Sequence, residues 1–238
     1  MQRINLDGYQ LIIFDKDGTL IDFHAMWGGW MRDVAARLEA SCQLPISQLL
    51  FASFGYDSAS RRVLPGAPLA MTPMATLRSM AGEALREAGC PPSRVESALH
   101  AAWHIPDPVA TARPLADLGA LFGELRARDM KIAVATTDDR TPTERTLAAF
   151  GVAAMVNTMI CADDGVTPKP APDMVLAICE RLDVPPLRTV MIGDTVADMQ
   201  MGRAAGSGLV IGVASGISPA EVLAPHADVI LESVADLF

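Results

Sequence analysis

Lysine is scarce in this chain of 238 residues: Lys16, Lys131 and Lys169 are the only three, and arginine supplies the rest of the basic charge. Acids outnumber bases 28 to 19, giving a net charge of -9 and a sequence pI of about 4.8. No basic stripe interrupts this acidity, which excludes nucleic acid and anionic membrane surfaces as expected partners. Cysteine is limited to Cys42, Cys90, Cys161 and Cys179, with no C-x-x-C pair. That excludes a disulfide framework and leaves packed, reduced thiols as the reading. No apolar run is long enough to cross a bilayer, and the opening "MQRINLDGYQ" has no signal-like apolar centre. A soluble, cytoplasmic protein is expected. Internal repeats and low-complexity tracts are missing too.

What the chain does have is apolar content, 50% of its residues, with a mean hydropathy of +0.27. That suffices for one large core, or a core plus a smaller subdomain. Short Val- and Ile-rich runs at 11–14, 131–136, 156–160, 189–193, 209–213 and 228–231 are apolar on both faces, as buried parallel strands are. Helical patterns at 118–129, 141–151, 171–183 and 197–206 alternate with them. The expected fold is α/β, a doubly wound parallel Rossmann-like sheet core. Strand one ends near residue 14 and the next begins near 131, whereas such connections usually add only ~2–6 residues to their helix. Residues 21–106 are therefore expected to be an inserted α-helical cap, with 1–20 and 107–238 forming the core. Within the insertion, Met26, Trp30, Val34 and Leu38 share one helix face. Pro73 opens a second helix ending near Gly89, and 92–105 forms a third. Residues 51–69 read as loop with a short helical piece, and the Pro-rich 105–114 as the return linker.

The stretch "LIIFDKDGTLID" carries an apolar strand directly into two carboxylates. On its own, "DKDG" is equally a surface turn that merely ends a strand. In an open parallel sheet, however, ligands bind beyond the carboxyl ends of the strands. Asp15 and Asp17, two apart, point the same way if extended, and Gly18 permits a sharp turn. Lys16, at the alternate position, is expected to point away from both acids in a structural role. Thr136 and Thr137 follow another strand, Asp194 a third, with Asp198 one helical turn on. Lys169 stands alone between Pro168 and Pro170. Two like charges ~4 Å apart repel by about 4 kcal/mol at an effective dielectric near 20. A hard divalent cation removes that penalty, and Mg²⁺ with a phosphate suits a carboxylate site. Hydroxyls, an amine and helix-start N–H groups suit an oxyanion. Cation, oxyanion cradle and free carboxylate together are the parts of phosphoryl transfer.

These four stretches resemble the motifs of the haloacid dehalogenase superfamily: D-x-D-G-T-L at Asp15–Leu20, the strand-ending Thr136, Lys169–Pro170, and G-D-x-x-x-D at Gly193–Asp198. They occur in order, with the insertion directly after the first. The resemblance implies a Mg²⁺-dependent phosphatase of the helical-cap, phosphoglycolate phosphatase-like branch, acting on a small-molecule phosphate ester. It implies that Asp15 attacks phosphorus and that Asp17 protonates the leaving oxygen and then activates water. Metal is to be held by Asp15, the Asp17 carbonyl and Asp194, with Asp198 in the outer shell or linked through water. Thr136, Thr137 and Lys169 bind phosphate. A cap closing over the site would exclude water. Asp17 argues against a dehalogenase and, with the missing membrane helices, against an ion-pumping ATPase. A cap without lysine fails the Schiff-base chemistry of a phosphonoacetaldehyde hydrolase. A sugar-phosphate mutase and a non-catalytic phosphate-binding relative stay open as alternatives, as does monomer against homodimer.

The substrate is to be chosen by the cap, where Phe23, His24, Arg61, Arg62 and Arg78 are the candidate contacts. His100 and His104, four apart on an expected helix, are read as packing ahead of metal binding. Trp27, Trp30 and Trp103 are read as cap core ahead of a stacking platform, and the 13 methionines as adaptable packing.

Overall fold

The structure is a computed structural model that describes residues 4–72 and 74–238, so Pro73 lies outside the described residues. By chain contacts it divides into two units, Met1–Asp22 with Pro108–Phe238, and Phe23–Asp107.

The larger unit begins with strand β1 (Leu11–Phe14), every residue of it buried. In the inserted unit a π-helical turn, His24–Gly28, runs into α1 (Gly29–Cys42). Helix α2 (Ser47–Phe54), the short strands β2 (Tyr56–Asp57) and β3 (Arg62–Val63), α3 (Pro68–Met71), α4 (Met74–Glu87) and α5 (Pro92–Ala102) complete it. The chain resumes the larger unit with α6 (Pro108–Thr111), α7 (Leu118–Ala127), β4 (Lys131–Ala135), α8 (Arg140–Ala149) and β5 (Thr158–Ile160). It ends with α9 (Asp173–Leu182), β6 (Thr189–Gly193), α10 (Val196–Ala205), β7 (Leu209–Val213), α11 (Ala220–Leu223) and β8 (Val229–Leu231).

The main sheet has the order β5-β4-β1-β6-β7-β8, and every adjacent pair is parallel. From β1 the chain builds outward through β4 and β5, then crosses back to lay β6, β7 and β8 on the other side. The order reverses around β1, which makes its carboxyl end the switch point where open sheets of this type leave a crevice. The strands are short and apolar on both faces because helices cover both. Leu11 and Ile13 pack with Ala133, Ala135, Ile160, Met174, Ile178, Met191 and Met201. On the opposite face Phe14 stacks on Phe122 of α7, ring centroids 5.6 Å apart. Helix starts are fixed by side chains: the Asp117 carboxylate accepts from Ala120 N–H at α7, and the Thr195 hydroxyl from Asp198 N–H at α10.

In the inserted unit Met26, Trp30, Val34 and Leu38 are all buried, as their spacing requires. Trp30 meets Trp103 edge to face at 5.1 Å and donates its indole N–H to the His104 carbonyl at 2.7 Å. One expectation fails and two gain detail. Residues 51–69 are turns with helical pieces, the end of α2 and α3, as expected, and they add the β2–β3 pair, since strands of two residues show no periodicity in sequence. The return segment 105–114 contains a helical turn, α6. Helix α5 stops at Ala102, so His104 lies off it and shares no face with His100; instead its ring is 3.4 Å from the Asp33 carboxylate.

Because Phe122 is fully buried against Phe14 of β1, Phe122→Ala is expected to cost about 3–5 kcal/mol of unfolding free energy. Urea denaturation measures this, and a cost under about 1 kcal/mol would contradict the packing described.

Candidate active site

Four charged groups converge where β1, β6 and the β5–α9 loop meet. Asp15 follows β1, Asp194 follows β6, and Asp198 lies in the first turn of α10. Lys169 reaches in from the loop before α9. Its ammonium donates to Asp15 Oδ1 at 2.6 Å and to Asp198 Oδ1 at 2.6 Å. The two carboxylates are 154 and 29 residues away in sequence, and parallel strand order alone brings them together. Asp15 is nearly buried, and Asp194 and Asp198 are wholly buried. Among the described residues, these three acids form the group able to hold a metal ion, each offering an oxygen within 4.8 Å of the others.

Each acid is aimed by its neighbours. Asp194 accepts from Ile217 N–H at 2.8 Å and from the Thr19 hydroxyl at 3.3 Å. Gly18, at φ +90°, and Gly216 lie so close that a Cβ on either would collide with the Asp194 carboxylate. The Asp198 Oδ2 atom accepts from Thr195 N–H at 3.1 Å in a capping box, while Oδ1 faces Lys169. The loop bearing Lys169 is itself held. Arg140 grips Asp164 through two N–H donors at 3.0 and 2.6 Å, and the Thr167 hydroxyl donates to Asp173 at 2.9 Å.

Three buried carboxylates against one ammonium leave two negative charges uncompensated when all are ionised. Burial pushes the Asp15 carboxyl up from 3.8 to about 6, opposed by Lys169 and reinforced by the charges of Asp198 and Asp17. Burial, then the charges of Asp15 and Asp198, hold Asp194 well above its ordinary value. Burial opposes the charge on Lys169, but Asp15 and Asp198 outweigh it and keep the amine firmly protonated. A cluster of oxygen ligands short of two positive charges fits a hard divalent cation, which Asp15 and Asp194 would hold with Asp198 beside them.

Thr136 is buried immediately after β4, and its hydroxyl oxygen accepts from Asp138 N–H at 3.1 Å, leaving its own hydrogen available. Thr137 is exposed. Asp17 lies in the turn after β1, closed by the Gly18 N–H to Ile21 carbonyl bond at 2.7 Å. Here the expected orientation of Lys16, away from Asp17, is overturned. Its side chain is wholly buried and its ammonium lies 2.7 Å from Asp17 Oδ2 and 3.0 Å from Asp138 Oδ2. Strand β1 ends at Phe14, so the two-residue alternation that would turn Lys16 away does not extend to it. Asp138 was missed because its only signal was a place two residues after a strand-ending threonine. The Asp194 partners Thr19 and Ile217 were missed because nothing in sequence couples positions so far apart.

The candidate cap contacts are differently placed. Arg78 is engaged by Glu96 at 2.5 Å on α4 and α5. Arg61 and Arg62 are exposed at the β2–β3 turn and its edge. His24 is buried, its Nδ1 accepting from Val63 N–H at 3.1 Å, and Phe23 is buried against it and Trp27.

Acids and a lysine at the carboxyl edge of a six-stranded parallel sheet define the class: an α/β protein with its site at the switch point. Residues 9–206 match the family of haloacid dehalogenase-like hydrolases, and the chain belongs to that family. It is 28% identical over 203 residues to the phosphoglycolate phosphatase of Rhodospirillum rubrum, covering 84% of this chain and 78% of that protein. It is 32% identical over 115 residues to pyrophosphatase PpaX of Bacillus velezensis, a match spanning 48% of this chain and about half (53%) of that relative. A solved family hydrolase from Deinococcus radiodurans, with bound phosphate and sodium, superposes with a TM-score of 0.67 at 18% identity, covering 97% of this chain and 93% of that one. Among the described residues no helix is long and apolar enough to cross a membrane.

Carboxyls raised by burial bind protons more tightly folded than unfolded. Without a cation, Asp15 therefore costs the protein stability as pH rises from about 3.8 to about 6, and Asp194, also raised, adds a cost as pH rises through its own folded value. At a hundredfold excess over its Kd, Mg²⁺ is expected to stabilise by about 2.7 kcal/mol, or ~5–10 °C in Tm, near pH 7.5. Near pH 5 the gain should be smaller. Thermal melts with Mg²⁺ and with chelator at both pH values test this; an equal shift at both would contradict the assignment.

Proposed function

We propose that the protein is a Mg²⁺-dependent phosphatase of small-molecule phosphomonoesters, working through an aspartyl-phosphate on Asp15. The observation that carries this reading is the Lys169 ammonium held between Asp15 and Asp198, beside Asp194. It leaves a nucleophilic carboxylate next to fixed positive charge at the edge where a phosphate would dock. Family membership and the phosphoglycolate phosphatase relative support the same chemistry, with phosphoglycolate as the first ester to try.

In this reading Asp15 Oδ1 stays on Lys169 and Oδ2 attacks phosphorus, breaking the bond to the ester oxygen. Asp17 gives that oxygen its proton, so an alcohol leaves. Asp17 then takes a proton from water, whose oxygen attacks the phosphorus on Asp15, releasing phosphate and restoring the carboxylate. Thr136 donates its hydroxyl hydrogen to a phosphoryl oxygen, with Thr137 beside it, and Lys169 offsets charge as it develops. A bound Mg²⁺ supplies charge stabilisation and orientation at the phosphoryl oxygens. The inserted unit, Phe23–Asp107, is assigned the part of the cap that selects the ester, and Asp198 the part of orienting Lys169.

Phosphate release from p-nitrophenyl phosphate and phosphoglycolate, with Mg²⁺ and with chelator, tests the reading. Mg²⁺-dependent release is expected. A sugar-phosphate mutase would return an isomer without free phosphate, and a binding protein would release none. Asp15→Asn is expected to abolish turnover while keeping the fold, since it also removes one of three crowded charges. Lys169→Ala is expected to lower kcat by about 10²–10³-fold. Wild-type turnover by Asp15→Asn would contradict the nucleophile assignment.

A further inference from the structure

Lys16 has no place in the chemistry above, yet it is one of the largest wholly buried side chains in the protein. A buried ammonium is costly unless anions surround it. Two do: Asp17 Oδ2 at 2.7 Å and Asp138 Oδ2 at 3.0 Å. Burial opposes the charge, and Asp17 and Asp138 more than restore it. The link spans two loops, since Asp17 follows β1 and Asp138 follows β4. The Asp138 end is anchored in turn. Its backbone N–H donates to the Thr136 hydroxyl at 3.1 Å, its carbonyl accepts from Ala162 N–H at 3.0 Å, and its Oδ1 accepts from Asp139 N–H at 2.9 Å. At the Lys16 end, the backbone carbonyl accepts from Leu20 and Ile21 N–H groups at 2.9 and 3.1 Å, closing the turn that carries Asp17.

The consequence falls on Asp17. One of its oxygens forms an ion pair with Lys16, whose ammonium meets Asp17 and Asp138 by charge without the alignment of a hydrogen bond, and the other, Oδ1, is buried without a hydrogen-bond partner among the described residues. A buried carboxylate oxygen without a partner is rare and needs a reason. Here the ion pair draws one carboxylate oxygen toward Lys16 and leaves the other for the reacting groups. We propose that Lys16, braced by Asp138, is a positioning residue that fixes the Asp17 carboxylate so that Oδ1 delivers the proton to the leaving oxygen. The inference rests on the phosphatase reading and extends it to the unspecified position of the first motif.

Asp17 acts twice, but its step on water is the same for every ester and does not enter kcat/KM, which reports the steps up to departure of the alcohol; there the loss should depend on how much the leaving oxygen needs a proton. Phenyl phosphate and p-nitrophenyl phosphate have similar shapes, but p-nitrophenolate departs far more readily unprotonated. Lys16→Met keeps the length and apolar stem without the charge. It is expected to lower kcat/KM by about 10²-fold on phenyl phosphate and by less than about tenfold on p-nitrophenyl phosphate. Losing the cation also leaves two carboxylates unpaired, so stability is controlled with Lys16→Met/Asp138→Asn. That double variant has the wild-type net charge at this position but no ion pair. It is expected to regain thermal stability and to keep the leaving-group bias. Equal losses of kcat/KM on the two esters, or a wild-type ratio in the double variant, would overturn the positioning role and leave Lys16 a charge balance. Wild-type protein inert toward both esters would overturn the phosphatase reading, and this inference with it.

Discussion

The structure depends on a charge problem. Three carboxylates, Asp15, Asp194 and Asp198, are buried together with one ammonium, that of Lys169. Bringing charges out of water is costly, and like charges in a low dielectric add to the cost. Much of the surrounding architecture reads as a way of bearing it. The strand order delivers the acids to one edge, and Asp198 spends one oxygen capping α10 and the other on Lys169. Asp194 is held by Thr19 and Ile217, with Gly18 and Gly216 against it where no side chain would fit. What protein groups leave uncompensated is the charge of one divalent cation. In the function we propose, the metal that completes this charge balance is also what a phosphate docks against.

The three lysines gain meaning from the same constraint. Lys169 sits within one acid cluster and Lys16 within a second, formed by Asp17 and Asp138. Lys131 donates to the Leu182 carbonyl at the C-terminal end of α9, where the helix dipole favours a cation. In an acidic chain, each lysine is used at a specific carboxylate or carbonyl, and general surface charge is left to arginine. In the phosphatase we propose, the two buried lysines divide the candidate site into a half that holds the nucleophile and a half that holds the proton carrier.

Much of this was legible in the sequence for a physical reason. Buried parallel strands are continuous apolar runs, and a charged residue at the end of one stands out, which is why Asp15, Thr136 and Asp194 could be placed at one edge before any fold was seen. Lys169 was legible through its isolation between prolines. Long helix faces were readable too, as at Met26, Trp30, Val34 and Leu38. Lys16 was misread because strand alternation was carried two residues past the strand's end, into a turn whose geometry depends on Gly18 and Ile21. The β2–β3 pair left no periodicity to read. His104 was assigned to a helix that stops at Ala102, since the pattern "ALHAAWHI" has no stop signal at that point. The partners of Asp194 come from tertiary packing, which one sequence does not encode locally.

The most direct measurement is a crystal structure of the protein grown with Mg²⁺ and beryllium fluoride, a mimic of a phosphoryl group on a carboxylate. The account predicts beryllium bonded to Asp15, Mg²⁺ beside it against Asp15 and Asp194, and Lys169 still in contact with Asp15. Beryllium fluoride on another residue, or Mg²⁺ bound away from Asp194, would contradict it.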